Sequence, residues 1–330
     1  MHKLELRVAI EEWPRIKPLK ITGYTFESVK VIMVVLLSEG RAGRGEAAGA
    51  YYKREDAASM AAQIEAIRPA IEAGVDRESL QRILPSGGAR NALDCALWDL
   101  EAKLSNRPVW QLVGLQEPRP LLTTFTLGAE QPEQMEQAAR AFGGAKALKL
   151  KLTGEPIDAD RIRAVRAARP DVWLSVDANQ GFTRAFLERL MPLMLECKVA
   201  LIEQPFAIGE EALLDGFRSP IPIAADESAQ DLARLDALAG RFSMANIKLD
   251  KCGGLTEGLA MARRLRDMGL EVMVGCMGGT SLAMAPAFVL GQLCDVVDLD
   301  GPAFIRSDRD DPVRYHGGTI DCPRALWGHP

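Results

Sequence analysis

Histidine is nearly missing from this chain: His2, His316 and His329 are the three in 330 residues. All lie outside the segments that read as strands, so imidazole ligands and an imidazole base are not expected. No Ser/His/Asp set can be assembled either. The six cysteines (Cys95, Cys197, Cys252, Cys276, Cys294, Cys322) show no CxxC pair, which favours reduced, mostly buried thiols over a zinc site. Long apolar runs are also lacking. Val31 to Leu37 and Leu282 to Leu290 fall well short of the roughly 20 residues that cross a bilayer. Met1 to Lys20 has no unbroken apolar centre of a secretory signal. A cytoplasmic protein without a membrane partner is expected. There is no excess of positive charge: 40 Lys and Arg against 45 Asp and Glu leave a net −5, no footprint for nucleic acid. Arg161, Arg163, Arg166 and Arg169 read as the solvated face of a helix.

What is present suits a soluble globular chain with a large core, 48% hydrophobic and 26% charged. From about Leu121 to Leu299, short β-like runs alternate with segments of helical period. Candidate strands cover Leu121 to Thr126, Ala147 to Leu152, Val172 to Asp177, Val199 to Glu203, Ile221 to Asp226, Met244 to Leu249, Glu271 to Gly275 and Val296 to Asp300. Helices fit between them, such as Ala229 to Ala239 and Leu255 to Met268. The fold class is therefore α/β, a (β/α) TIM-type barrel, with an open doubly wound sheet as runner-up. The first part differs. Leu4 to Ile10 and Val29 to Leu37 read as paired strands, followed by two amphipathic helices with Met60, Ile64, Ile67, Ile71 and Leu93, Leu97, Leu100, Leu104 on their faces. This predicts an N-terminal α+β capping domain over residues 1–115, completed by the tail 303–330, and a barrel over 116–302. Gly40 to Gly45 (GRAGRG) matches no phosphate-binding fingerprint and reads as a turn.

Strands of a closed barrel are buried on both faces, so charge on them needs a reason. In Leu148-Lys149-Leu150-Lys151-Leu152 the period of two puts both lysines on one face. A solvent-coated edge strand would explain a lone KxK. However, later strands also end in charge: Asp177, Glu203, Asp226 and Lys248, in steps of 26 (177 to 203), 23 (203 to 226) and 22 (226 to 248). Barrel active sites are built at these C-terminal strand ends. Asp177, Glu203 and Asp226 would converge from adjacent strands, and three unpaired buried carboxylates repel unless a cation joins them. All-oxygen ligands suit Mg²⁺, with Mn²⁺ as a substitute, rather than zinc. Lys151 and Lys248 flank these strands from opposite sides, a two-base geometry. A positioned base supplies only about 10²- to 10⁴-fold, so removing a proton beside a carboxylate also needs electrostatic stabilisation of the enediolate, from the metal and from Lys149. Asp298 and Asp300 form a second inward pair suited to a substrate ammonium. Thr126 offers a hydroxyl.

The set LKLKL (148–152), DAN (177–179), EQP (203–205), ADES (225–228), NIKLDKCGG (246–254) and DLDGP (298–302) resembles the enolase superfamily, muconate-lactonizing subgroup. The DxD pair and RNALDCALWDLEAK (90–103) are similar to dipeptide epimerases of the L-Ala-D/L-Glu type. The resemblance implies Lys151 and Lys248 as acid and base, with Lys149 supporting. It implies Asp177, Glu203 and Asp226 on Mg²⁺, Asp298 and Asp300 on the dipeptide ammonium, and a role in murein-peptide metabolism. It also implies that two capping loops choose the side chain. The first, ITGYTFES (21–28), contains Tyr24 but no cation, so Lys53 or Arg54 from the second is expected to replace the arginine that glutamate-using members offer. A homo-oligomer is expected. The rivals are an o-succinylbenzoate synthase or muconate cycloisomerase-type lyase on the same scaffold, and a non-catalytic amine-binding barrel.

Overall fold

The computed structural model describes residues 3–330, so His2 lies outside the described residues. The chain opens with an antiparallel sheet: β1 (Glu5–Ile21), β2 (Tyr24–Ser38) and β3 (Arg41–Ala47). The first two strands are far longer than the apolar cores that announced them, because exposed polar alternation continues the hairpin outward. Four helices follow, α1 (Ala57–Ala66), α2 (Arg68–Glu72), α3 (Arg77–Ile83) and α4 (Gly88–Ser105). Asp56 caps α1 through the Ser59 N–H at 2.7 Å, and Pro69 follows the break at Ile67. Met60, Ile64 and Ile71 are fully buried as expected. α4 is buried nearly all round, although Leu104, expected on its apolar face, is exposed.

GRAGRG is not the expected turn. Only Gly40 turns, at φ 72°, and Arg41 onward is β3. Its glycines serve packing: a Cβ on Gly43 would sit 2.1 Å from the Ala96 carbonyl oxygen of α4, and one on Gly45 2.0 Å from that of Ala92. Strand and helix touch backbone to backbone there.

Eight parallel strands then form a nearly closed barrel: β5 (Phe125–Leu127), β6 (Ala147–Lys151), β7 (Trp173–Asp177), β8 (Val199–Glu203), β9 (Ile223–Ala225), β10 (Met244–Lys248), β11 (Glu271–Gly275) and β12 (Val296–Asp298). The first expected strand is split. Leu121–Leu122, β4, pairs with the tail hairpin β13 (Arg314–His316) and β14 (Thr319–Asp321). Buried Thr123 and Thr124 turn the chain into the barrel, where the Thr124 N–H donates to the Val297 carbonyl and links first strand to last. Asp300 lies beyond β12 at the start of a 3₁₀ turn over Gly301–Phe304. The helix expected over Ala229–Ala239 is a 3₁₀ segment, Leu232–Leu238, whose buried Leu235 and Leu238 are three residues apart. Leu201, Ala224, Met244 and Met273 plug the barrel floor.

The arginine cluster is not a solvated face. Only Arg163 of the four is exposed. Arg161 pairs with Asp158 at 2.7 Å, Arg166 donates to the carbonyls of Cys197 and Val172, and Arg169 to those of Phe142 and Ala145. Each closes off loop carbonyls at a barrel corner. The tail packs back on the first sheet and α4: the Gly328 N–H donates to Asp99 (2.8 Å) and Trp327 Nε1 to the Arg44 carbonyl (2.9 Å). Among the described residues, no helix is long and apolar enough to cross a membrane.

Gly43→Ala and Gly45→Ala are each expected to destabilise the protein by at least about 1–3 kcal/mol, because the added methyl meets a helix carbonyl instead of a yielding side chain. Denaturant unfolding checks this; an unchanged midpoint would contradict the close approach.

Candidate active site

The period-two reading of β6 holds in space: Leu148, Leu150 and Leu152 are fully buried outward, while Lys149 (1% exposed) and Lys151 (8%) project into the barrel. Parallel register sets Lys151 beside Asp177 and Asp177 beside Glu203. Asp226 follows β9 directly. Ligand oxygens of Asp177, Glu203 and Asp226 all lie within 4.8 Å of one another, and all three residues are buried.

After Asp177 and Glu203 the chain bends through left-handed conformations uncommon for side-chain-bearing residues, Asn179 at φ 41° and Gln204 at φ 34°. Two contacts hold the bends. The Asn179 N–H donates to Asp177 Oδ1 (2.8 Å), and Gln204 Oε1 accepts from the N–H groups of Asp226 (2.9 Å) and Ser228 (3.1 Å). Gln204 thus fixes the end of β9 relative to β8.

Lysines compensate the acids. Lys149 Nζ lies 2.7 Å from Glu203, 2.8 Å from Asp298 and 3.2 Å from Asp177. Lys151 Nζ is 2.5 Å from Asp177, and Lys248 Nζ is 2.7 Å from Asp226. β6 and β10 are separated by β7, β8 and β9 in the eight-strand order, so Lys151 and Lys248 rise from opposite walls. Two further residues had no role assigned from sequence. Lys251, fully buried, donates to Asp226 Oδ1 (2.6 Å), and Asn246 donates to Glu203 Oε1 (2.9 Å). Both sit in the NIKLDK run, and their only sequence signal is polarity inside a buried stretch.

The charge states follow. Burial acts against a charged Lys149, but Asp298, Glu203 and Asp177 outweigh it and hold its pKa well above the ordinary lysine value. Lys248 behaves alike, with Asp226 as its main partner. Burial works against ionised Asp226 too, yet Lys248 and Lys251 hold its carboxyl well below the usual range. Glu203 is pushed up to about 7, by burial first and then by the Asp177 and Asp226 charges, with Lys149 opposing.

The residues fit a divalent cation. Glu203 Oε2, although 2.7 Å from Lys149, has no aligned donor and remains a buried oxygen without a hydrogen bond. Three converging carboxylates with such a free oxygen form a hard-ligand set for an ion of the Mg²⁺ class.

A cavity of about 410 Å³ opens above this floor. Lys149, Lys151, Lys248, Asp298, Asp300 and Thr126 all line it. Asp298 accepts from Lys149 and from the Thr124 hydroxyl, whereas Asp300 accepts from the Thr126 N–H at 2.6 Å. Burial, then the Asp298 charge, raises Asp300 to about 6. The expected second-loop cations are not brought here. Lys53 turns toward the Lys251 carbonyl (3.5 Å), and Arg54, left-handed at φ 59°, is exposed. Tyr24 stays outside the cavity, against Tyr51 and Phe26, which do line it. A cation absent from the sequence reading is present: Arg15 of β1, 8% exposed, lines the cavity.

Fold and site together define a capped barrel with a carboxylate metal floor between opposed lysines. The chain belongs to the enolase superfamily: residues 3–114 match the mandelate racemase/muconate lactonizing enzyme N-terminal domain, and residues 132–326 the enolase C-terminal domain-like family. It is 40% identical over 317 residues to an L-Ala-D/L-Glu epimerase of Escherichia coli K12, covering 96% of this chain and 98% of that one. It is also 40% identical over 255 residues to an N-acetyl-D-glutamate racemase of Pseudoalteromonas, covering 77% and 80%. A solved Agrobacterium tumefaciens enolase family member with homology to dipeptide epimerases, bound to sodium and L-Ala-L-Glu, superposes with a TM-score of 0.96 at 38% identity, covering 98% of this chain and all of that one.

A divalent cation is expected to stabilise the protein by mass action. Millimolar Mg²⁺ should raise the melting temperature, and Glu203→Gln should abolish most of that gain. A full Mg²⁺ shift in the variant would remove Glu203 from the ligand set.

Proposed function

We propose that this protein is a metal-dependent dipeptide epimerase, an isomerase that inverts the α-carbon of the C-terminal residue of an L,L-dipeptide such as L-Ala-L-Glu. The observation that carries the reading is the pair of lysines on opposite barrel walls above a carboxylate triad. Asp177, Glu203 and Asp226 hold Mg²⁺, for which Mn²⁺ can substitute. The ion, when bound, acts as a Lewis acid on the substrate carboxylate. Lys151 and Lys248 approach the α-carbon from opposite faces; one takes its proton and the other returns one, which inverts the centre. Lys149 adds fixed positive charge where the carboxylate gains negative charge. Asp298 and Asp300 receive the ammonium, and turnover serves murein-peptide metabolism in the cytoplasm.

A second reading has one observation in its favour. Asp298 is engaged by Lys149 and Thr124 and Asp300 accepts from the Thr126 N–H, so both carboxylates of the pair have partners before any ammonium arrives. An N-acylated glutamate, the substrate class named for the Pseudoalteromonas relative, needs no such receptor. The lyase reading has no observation of its own in its favour, and its substrates likewise bring no ammonium to the DxD pair.

Incubation of L-Ala-L-Glu, N-acetyl-L-glutamate and lyase substrates with protein and Mg²⁺ in D₂O separates these readings. Inversion with one deuterium at the α-carbon means epimerisation, and loss of water or lactone ring closure means one of the rival reactions on this scaffold. No change in any substrate leaves a binding barrel. Lys151→Ala and Lys248→Ala are each expected to lower epimerisation at least about 10²-fold, with α-proton exchange surviving for the one stereoisomer that faces the remaining lysine. If both variants epimerise normally, the base assignment is wrong.

pH provides a further check. Below about 6, Asp300 takes up a proton and loses its pull on an ammonium. The KM for L-Ala-L-Glu should therefore rise as pH falls through about 6, while the inhibition constant of N-acetyl-L-glutamate should not follow it. Parallel curves would exclude Asp300 as the ammonium receptor.

A further inference from the structure

Among the described residues four arginines are buried: Arg15, Arg90, Arg161 and Arg169. Three are fully engaged. Arg90 donates to the Cys252 and Gly253 carbonyls and pairs with Glu257, Arg161 pairs with Asp158, and Arg169 pairs with Asp171 beside the carbonyls already described. Arg15 differs from all of them. Among the described residues its guanidinium has no side-chain hydrogen bond and no ion pair, and its Nε is buried without a partner. Its one directed contact is the Phe304 ring, 5.7 Å from the guanidinium carbon to the centroid.

The backbone around it is built to hold this position. The β1–β2 ladder loses register between Pro14 and Leu19. Arg15 bridges instead to Ile305, just beyond Asp300, with the Pro14 carbonyl accepting from the Arg306 N–H (2.9 Å) and the Arg15 carbonyl from Arg306 Nε (3.1 Å). The side chain is thereby carried from the capping sheet into the wall of the substrate cavity. A buried guanidinium without an acceptor is costly to keep, and its planar fork matches a carboxylate bidentately. The Asp300 charge opposes that cost only in part, since burial still holds the Arg15 pKa below the ordinary arginine value and no acceptor closes on the fork.

Resting on the epimerase reading, we infer that Arg15 is the specificity-determining cation of this site and takes a second carboxylate of the substrate, so that the epimerised residue is acidic. It fills the role expected of Lys53 or Arg54, from a part of the chain outside both capping loops. L-Ala-L-Glu and N-acetylglutamate share this carboxylate, so the inference applies to either reading.

The test compares L-Ala-L-Glu with its neutral isostere L-Ala-L-Gln on the Mg²⁺-loaded full chain, reading both kcat/KM and calorimetric Kd. The wild type should favour Glu. Arg15→Met should lower that preference roughly 10- to 100-fold, the loss of one charge-assisted pair, with the Mg²⁺ melting shift retained as proof of folding. Arg15→Lys should keep part of the preference, which guards against a variant that fails to fold. An unchanged Glu/Gln ratio in Arg15→Met overturns the inference, as does a wild type without preference. Collapse of the ratio in Lys30→Ala, a rival cation lining the cavity, overturns it as well. If the wild type binds L-Ala-L-Glu without deuterium exchange in any substrate, the epimerase reading fails, and the Kd ratio alone decides on Arg15.

Discussion

The ammonium of Lys149 is within 3.2 Å of Asp177, Glu203 and Asp298 at once, in a place water hardly reaches. Closing eight strands into a barrel strips solvent from everything at its mouth, so none of these carboxylates could stay ionised alone. Their mutual compensation decides which side chains can project inward at all. It also sets the ends of β7, β8 and β9, since Asn179 and Gln204 bend the chain in left-handed conformations that only the surrounding hydrogen bonds make tolerable. Because Lys149 touches acids of both the metal floor and the DxD end, charge arriving at one end is felt at the other.

The capping domain is joined to this barrel by the same device on a smaller scale, with buried acids that accept from backbone N–H groups across the interface. Asp250, two residues after Lys248, accepts from Ala48 (2.8 Å) and Gly49 (3.0 Å). Glu46 of β3 accepts from the Thr280 N–H (2.7 Å) and from Arg309 (2.6 Å). Within the cap, Asp99 of α4 does the same for the tail, binding the Arg44 N–H, Lys103 and the Gly328 N–H. Burial raises Asp250 to about 6, with the two N–H donors opposing. Such joints are directional, so the cap is held in one pose and the aromatic side chains of Tyr51 and Phe26 stay over the cavity.

Much of this was legible from period and spacing. Two lysines two residues apart in an apolar strand can point only one way, and three acids one βα unit apart must converge if the strands close. What escaped the reading depended on contacts between distant segments. Gly43 and Gly45 look like turn glycines until α4 is laid against them. Arg161 and Arg169 look solvated because nothing local shows the loop carbonyls they meet. Alternation alone puts Asp300 on a strand, yet the strand ends at Asp298 and the turn over Gly301–Phe304 begins at Asp300. Lys251 and Asn246 were hidden in plain polarity, since their partners, Asp226 and Glu203, lie on other strands.

The role inferred for Arg15 would separate the encoding of selectivity from that of chemistry. The acids and lysines of the floor stand on barrel strands whose register leaves them little freedom, as suits groups that must meet a reacting carbon within a fraction of an ångström. The guanidinium comes from a hairpin strand at a point where the ladder has already broken, and among the described residues it makes no hydrogen bond or ion pair, Asp300 being the charge that acts on it most. If Arg15 selects substrate as inferred, that choice can change without moving the floor, whereas a change at Lys149 removes the one cation shared by Asp177, Glu203 and Asp298.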